Sequence, residues 1–187
     1  MKDLLVVSHC ILNKASKVAQ DESELAEEYR QRDALIRLAI DRDVQLIQLP
    51  CPEFIIYGAA RWGHVKDQFD NPYFREQSRA MLKPVIMQLK EYAQHPESFN
   101  IIGIVSVEGS PSCGSNLTCR AEWGGELTAE LCADGGPSEK VRMVNEAGVY
   151  MEELASMLTE HELNIPVYSI PEAVSLINKQ FISKEKL

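Results

Sequence analysis

Four short runs of apolar, largely β-branched residues, separated by longer stretches of helical periodicity, constrain the fold of this chain most strongly. The runs are LLVVS at residues 4–8, VQLIQL at 44–49, IIGIVSV at 101–107 and IPVYSI at 165–170. Runs of this length are typical of strands, and the first and third are unbroken enough to be buried on both faces. They predict the strands of a mostly parallel sheet.

Helical patterns fill the gaps between the predicted strands. Residues 22–42 and 72–93 follow the capping residues Asp21 and Asn71, and Pro84 is expected to kink or break the second of these helices. A third helix at 139–160 and a last helix, EAVSLINK, complete the pattern. The third rests on a core-facing stripe of Val141, Val144, Gly148, Met151, Ala155 and Leu158.

The alternation of strands and helices predicts an α/β fold. We expect residues 1–187 to form a single Rossmann-like, doubly wound domain, with a mostly parallel sheet and right-handed crossovers. Two predicted loops, 50–71 and 109–138, are unusually long for such a domain. Loops of this length are more often functional than connecting, so both are expected to border an active site.

Charge and cysteine content narrow the classes of partner. The net charge of -9, without strong segregation, argues against nucleic-acid or anionic-membrane binding. No apolar run approaches the ~20 residues of a membrane helix. Five cysteines, an odd number in a chain without a secretion signal, fit free thiols in the cytoplasm better than a disulfide framework. The oligomeric state is left open.

Each of the first three predicted strands is followed by a cysteine. Cys10 lies in VVSHC, Cys51 in IQLPCPE and Cys113 in SVEGSPSCG. The carboxyl ends of parallel strands share one edge, where ligands bind, so the three thiols are expected to converge. Structural zinc usually takes four ligands with close C-x-x-C pairs, which are absent here. Three soft ligands suit an iron–sulfur cluster with one open iron. An inert, buried role for any of them also stays open.

These segments resemble the thiouracil desulfurase family. SHCILN, CPE and SPSCG follow successive strands in the family order, and GELTAEL and NIPVYS are similar to further family segments. The resemblance implies that Cys10, Cys51 and Cys113 bind a [4Fe-4S] cluster whose fourth iron has no protein ligand. Sulfur would move from a thiolated nucleobase to that cluster without redox change. The resemblance also implies that Glu53 is the acid–base residue and that Ser110 contacts the substrate.

The chain departs from the family pattern in two places. CPE is followed by the bulky FIIYGAARWGH, in which Arg61 would take the role of the family's arginine, and residues 124–160 look like an insertion. We therefore expect a divergent desulfurase that acts on a small thiolated heterocycle and releases sulfide. Ser112 joins Ser110 as a substrate-binding candidate, because the SPSCG turn offers N–H groups to an anionic cluster or oxyanion. Arg61 is a third candidate, in the role of the family's arginine.

Two other functions fit the same residues. A zinc-dependent hydrolase would combine the three cysteines with His9 or Glu53, and a cysteine-based metal or redox sensor would need no acid–base residue. Cys119 and Cys132 lie outside the strand-end pattern and are not assigned as ligands. In the first long loop, Arg61, His64 and Lys66 could contact an anionic group of the substrate, but all three are more simply expected to be solvated. Trp62 and Trp123, one in each long loop, are candidates to stack on a flat heterocycle.

Overall fold

A parallel sheet of four strands forms the centre of the fold. The computed structural model describes residues 1–122, 126, 128–130, 132–133 and 136–184. Its strands are β1 (Lys2–Val7), β2 (Gln45–Gln48), β3 (Phe99–Val105) and β6 (Val167–Tyr168). They lie in the order β2-β1-β3-β6, and all three pairings are parallel. The α/β class and the parallel sheet are thus confirmed, although β6 is much shorter than its apolar run.

Seven α-helices surround this sheet in the described residues. They are α1 (His9–Leu12), α2 (Glu22–Asp41), α3 (Pro52–Tyr57), α4 (Lys66–Phe69), α5 (Pro72–Ala93), α6 (Val149–Glu160) and α7 (Ile170–Lys184). Two short 3-10 helices lie at Lys14–Ser16 and Gly136–Lys140. Helix α2 packs against α7, and α5 packs against α6. None of the described helices is long and apolar enough to span a bilayer.

Caps explain where the two long helices begin. The side chain of Asp21 accepts a hydrogen bond from the N–H of Ser23 at the start of α2, and that of Asn71 accepts one from Phe74 at the start of α5. Helix α5 continues through Pro84, so the predicted break is wrong. Pro84 and Ala80 are exposed, and water can therefore bind the carbonyl that proline leaves without a partner.

The predicted helix at 139–160 is wrong in its first half. Residues Arg142–Val144 form β5, which pairs antiparallel with β4 (Thr118–Arg120), and α6 begins only after its N-cap, Gly148. Val141 and Ala155 are exposed, so the predicted core stripe is also wrong at these positions. The buried residues of α6 are Val149, Tyr150, Met151, Glu153, Leu154, Met157 and Leu158.

The two predicted long loops contain structure of their own. Helices α3 and α4 lie within residues 50–71, and β4 and the second 3-10 helix interrupt residues 109–138. Part of the GELTAEL segment, and Trp123, lie outside the described residues. Both loops rise from the carboxyl edge of the sheet, because they follow β2 and β3.

Candidate functional site

The carboxyl ends of β1, β2 and β3 open into a cavity of about 1060 Å³. Hydrogen bonds hold these ends level: the N–H of Leu49 donates to the carbonyl of Val7 (2.8 Å), and the N–H of Ser8 donates to that of Val105 (3.2 Å). The residues that the sequence predicted for the site all line this cavity: Cys10, Cys51, Glu53, Arg61, Ser110, Ser112 and Cys113. The sheet thus brings residues of three separate loops to one place.

Cys10 and Cys51 lie at the beginnings of the short helices that follow β1 and β2. Cys10 is the second residue of α1 and is half-buried. Cys51 is the N-cap of α3, and its sulfur accepts a hydrogen bond from the N–H of Phe54 at 3.4 Å. Pro52 occupies the first position of that helix, where its missing N–H costs nothing. The CPE segment therefore turns the chain so that Cys51 and Glu53 both line the cavity.

Cys113 is held by a closely packed loop, which we call the Cys113 loop (residues 106–117). Ser110 Oγ accepts a hydrogen bond from the N–H of Cys113 at 3.0 Å, and the N–H of Gly114 donates to the carbonyl of Ser110 at 3.2 Å. A Cβ at Gly114 would lie 2.1 Å from the carbonyl oxygen of Leu117. Glycine is therefore required at this close approach, and Ser110 has a structural role in the loop.

Glu108 fastens the rest of the Cys113 loop, although it was not among the predicted site residues. Its carboxylate accepts hydrogen bonds from the N–H groups of Ser115 (3.3 Å), Asn116 (3.1 Å) and Leu117 (2.7 Å) and from the hydroxyls of Ser106 (2.8 Å) and Ser115 (2.6 Å). Burial alone would raise the pKa of Glu108, but these hydrogen bonds outweigh it and lower the pKa. Glu108 thus remains an ionised carboxylate that accepts hydrogen bonds from the N–H and hydroxyl groups of the loop.

Glu53 connects the Cys113 loop to the loop that carries Cys51, which we call the Cys51 loop (residues 49–71). Ser112 Oγ donates a hydrogen bond to Glu53 Oε1 at 2.5 Å, and Arg61 Nε donates to Glu53 Oε2 at 3.4 Å. Arg61 also donates to the carbonyls of Ser16 (2.6 Å) and Gly58 (3.2 Å). Arg61 is thereby fixed between the two chain segments, and both carboxylate oxygens of Glu53 have defined partners.

Burial keeps the three thiols protonated at neutral pH unless a cation joins them. Burial raises the pKa of Cys10 to about 12, against the opposing charge of Lys17. The pKa of Cys113 is raised by burial first, and then by the charges of Cys10 and Glu53. Burial is also the main cause that raises the pKa of Cys51. Three thiolates can coexist here only around a positive centre, such as a group of metal ions.

The thiols share the cavity without forming a compact single-ion site. Within the described part of the chain, no three His, Cys, Asp or Glu residues are grouped so that they could hold one metal ion. A single zinc binds sulfur at about 2.3 Å and so draws its cysteines together. In an iron–sulfur cluster, by contrast, each cysteine binds a different iron.

A second charged pair, which the sequence did not single out, lies in the wall of the cavity. Lys17 forms an ion pair with Glu28, and both side chains are largely buried. Lys17 and Arg61 are the cationic side chains among the lining residues, and each already contacts a carboxylate. Lys17 lies in a polar segment after α1, and nothing in that segment indicated that it would line a functional site.

The histidines differ in their relation to the site. His9 contacts Asn13 and Gln48 and is not among the residues that line the cavity. His64 lines it, and its ring contacts those of Tyr57 (4.7 Å) and Phe69 (4.8 Å). The expectation of a solvated side chain is wrong for His64, whose ring packs against these two rings and whose Nδ1 is buried. It is also wrong for Arg61, whose side chain is 3% exposed.

Lys66 also differs from its expected solvated state. Only 4% of it is exposed, and its ammonium group donates to Glu152 (2.6 Å) and Glu146 (3.0 Å). These contacts tie α4 to α6, so Lys66 has a structural role. By contrast, Trp62 is 71% exposed at the rim of the cavity.

Cys119 and Cys132 line the same cavity, on the far side from β1. Cys119 is buried in β4, and its thiol donates to the carbonyl of His64 at 3.6 Å, whereas Cys132 is exposed. The sequence placed both outside the strand-end pattern. The antiparallel pair β4–β5 is what brings Cys119 to the cavity, and this pairing was not predicted.

Comparison with known proteins gives a family without a function. No protein-family model matches the chain, and no solved structure does. An uncharacterized protein of Methanocaldococcus jannaschii is 34% identical to it over 113 residues, which cover 60% of this chain and 67% of the archaeal protein. The chain belongs to the same family as this archaeal protein. Membership of this archaeal family assigns no activity, so function has to be argued from the site.

Proposed function

We propose that this protein is an iron–sulfur-dependent desulfidase that hydrolyses the C=S bond of a small thiolated heterocycle, such as a thiolated nucleobase, and releases sulfide. The observation that carries the proposal is the hydrogen bond of 2.5 Å between Ser112 and Glu53 in the cavity that Cys10, Cys51 and Cys113 line. It joins an acid–base carboxylate to a set of soft metal ligands. A cysteine-based sensor would need only the thiols.

The three cysteines suit a [4Fe-4S] cluster in their chemistry. Their thiols line one cavity, are largely buried and need a positive centre to ionise. Cys10, Cys51 and Cys113 would each bind one iron. When bound, the cluster would supply a fourth iron without a protein ligand, a Lewis acid for the sulfur of the substrate.

Glu53 would move the protons of the reaction. Its carboxylate takes a proton from the attacking water while the water oxygen forms a bond to the carbon of the C=S group. Glu53 gives this proton to the sulfur, and the carbon–sulfur bond then breaks, its electron pair leaving with sulfur as hydrosulfide. As the C=O group forms, the remaining proton of the attacking water passes to Glu53 and from there to solvent. Oxygen replaces sulfur on the carbon without any change in oxidation state, so no reductant is needed.

The partners of Glu53 would fix the direction of this proton transfer. Arg61 is anchored by the carbonyls of Ser16 and Gly58 and holds Oε2, while the Ser112 hydroxyl holds Oε1. Ser110 and Ser112 lie beside Cys113, where the substrate would approach. Their contact with the substrate, like that of Arg61, stays a prediction.

The same proposal includes the arrangement and location of the domain. The helix pairs α2–α7 and α5–α6 suit a doubly wound, Rossmann-like domain with one pair on each face of the sheet. All five cysteines are free, which suits the reducing cytoplasm. The net charge of -9 suits a small-molecule substrate better than nucleic acid or an anionic membrane.

Anaerobic purification tests the proposal directly. We expect brown protein that contains about four iron and about four acid-labile sulfide per chain. It should release sulfide from thiolated pyrimidines, with the corresponding oxo compound as the other product. The Cys113→Ser variant should lose the cluster, whereas Cys119→Ser, altered in the same cavity, should keep it.

Two results would contradict the proposal. Colourless protein that binds stoichiometric zinc after anaerobic reconstitution with iron, sulfide and zinc would favour a zinc-dependent hydrolase. Loaded protein that releases no sulfide from any thiolated heterocycle would favour a metal or redox sensor, which needs the thiols but no acid–base residue.

A further inference from the structure

The beginning of α6 is docked onto the backbone of the Cys113 loop. Three hydrogen bonds join them: the N–H of Gly148 donates to Gly114 O (2.8 Å), that of Val149 to Pro111 O (3.1 Å), and that of Met151 to Ser112 O (3.1 Å). These bonds fix the first turn of α6 relative to Cys113.

Gly148 makes this approach possible. A Cβ at that position would lie 2.5 Å from the carbonyl carbon and 2.6 Å from the carbonyl oxygen of Ser112. No side chain fits there without separating helix and loop. The first turn of α6 is therefore held against the backbone of the Cys113 loop.

Tyr150 lies in this first turn, and its hydroxyl group is unusual. The side chain is 0% exposed, and the hydroxyl has no hydrogen-bond partner among the residues that the structure describes. A buried hydroxyl without a partner is unfavourable, and native proteins rarely keep one without a reason. The turn that carries Tyr150 is bonded to the backbone on both sides of Cys113, and Tyr150 and Cys113 belong to the same buried cluster. Burial raises the pKa of the phenol most, and the charges of Cys113 and Cys51 raise it further.

We propose that Tyr150 is a positioning residue of the cluster site, whose hydroxyl donates a hydrogen bond to a sulfur atom held between Cys51 and Cys113. This inference rests on the proposed function, because the acceptor is a cysteine thiolate or a sulfide of the bound cluster. A phenol is a donor of the right kind, since ionised sulfur accepts hydrogen bonds more strongly than a neutral thiol does. The hydroxyl would satisfy itself and stabilise negative charge where Lys17 and Arg61 are already paired with carboxylates.

The consequence is measurable on the cluster itself. Hydrogen bonds to the sulfurs of a cluster favour its more reduced, more negative state and raise the reduction potential. They also help to retain the metal, as outer partners of metal ligands generally do. A merely structural tyrosine would change neither quantity.

The test compares Tyr150→Phe with Tyr92→Phe, whose hydroxyl accepts only a long hydrogen bond from Gln88 (3.4 Å) on the surface of α5. Both variants and the wild type are loaded anaerobically and matched for iron. We expect Tyr150→Phe to lose iron to a chelator about tenfold faster than the wild type and to have a more negative reduction potential. Tyr92→Phe should match the wild type in both measurements.

The melting temperatures of the cluster-free proteins give a second readout, in which the substitution is expected to cause no loss. Removing an unpartnered hydroxyl should leave the melting temperature of cluster-free Tyr150→Phe unchanged or raise it by up to about 3 °C. A clear fall would overturn the inference, because it would mean that the hydroxyl is bonded within the protein. An unchanged potential and chelation rate in loaded Tyr150→Phe would also overturn it. Wild-type protein that takes up no iron would instead overturn the proposed function, and this inference with it.

Discussion

The Cys113 loop and the Cys51 loop each supply one candidate ligand, but they are held by different means. The Cys113 loop is fixed by its own backbone, by five donors on Glu108 and by the docked turn of α6. The Cys51 loop depends on side chains: Arg61 reaches across to Ser16, and Tyr57 stacks on His64. Its surface leaves Ile55 59% and Trp62 71% exposed.

This difference suggests that the two loops have separate roles. The Cys113 loop is preorganised before any ligand arrives, because its donors and acceptors are satisfied internally. The Cys51 loop carries Glu53, whose two carboxylate oxygens are held by side chains, those of Ser112 and Arg61. The two meet in the hydrogen bond from Ser112 to Glu53, so chemistry should depend on the Cys51 loop and stability on the Cys113 loop.

Glu53→Gln should have the largest effect, and the effect should be on activity. We expect sulfide release to fall about 10³-fold, because a positioned acid–base group contributes on the order of 10²–10⁴-fold. Iron content should stay at the wild-type level, since glutamine keeps the size and hydrogen-bonding capacity of the side chain. Steady-state kinetics with parallel iron analysis measure both. Wild-type turnover in the variant would remove Glu53 from the mechanism.

Gly148→Ala should destabilise the protein most. The new Cβ meets the backbone of Ser112 at 2.5 Å, which no rotamer change relieves. We expect a loss of about 3 kcal/mol in the free energy of unfolding, measured in urea. Gly63→Ala in the Cys51 loop is the matched control, because its Cβ would meet nothing within 4 Å. Equal losses in the two variants would erase the contrast between the loops.

Glu108→Gln should cost about 2 kcal/mol at pH 7, because an ionised carboxylate holds five donors of the Cys113 loop. The folded pKa of Glu108 lies below its ordinary value of 4.5. The advantage of the wild type is therefore complete above about pH 4.5 and is lost as the pH falls through the folded pKa. Urea unfolding at several pH values measures the difference. A gap between wild type and variant that stayed constant down to low pH would contradict the assignment, and Glu24→Gln serves as a surface control.

Trp62→Ala should have the smallest effect on stability, below about 0.5 kcal/mol, because this side chain is 71% exposed. Its effect should appear in KM instead. Loss of an aromatic surface for a flat heterocycle is expected to raise KM about fivefold. An unchanged KM would mean that the substrate binds deeper in the cavity, away from the rim.

The sequence predicted the parts of this molecule that follow from local patterns. Buried strands such as β1 are apolar on both faces and could be recognised from that pattern. Parallel strands share one carboxyl edge, so the positions of Cys10, Cys51 and Cys113 in the sequence were enough to predict that they line one cavity there. Caps such as Asp21 and Asn71 marked helix starts correctly.

The parts that were missed depend on distant partners. VRMV at residues 141–144 fits a helical stripe, but Thr118–Arg120 pairs with it as a strand, and nothing local indicates that partner. Lys66 was expected to be solvated, but it is buried, and its ammonium group donates hydrogen bonds to two glutamates far along the chain. Glu108 is unremarkable as a residue, since its partners come from the folded turn that it stabilises.

The docking of α6 on the Cys113 loop also sets an order of events during synthesis. All three candidate ligands lie within the first 113 residues, whereas the amides that α6 bonds to the Cys113 loop belong to Gly148, Val149 and Met151. A nascent chain that ends before α6 therefore carries every thiol but lacks the turn that holds the Cys113 loop. Domains generally fold as units as they emerge from the ribosome. Metal delivery to this protein would consequently be a late step of its maturation, in which the carrier meets an almost finished chain.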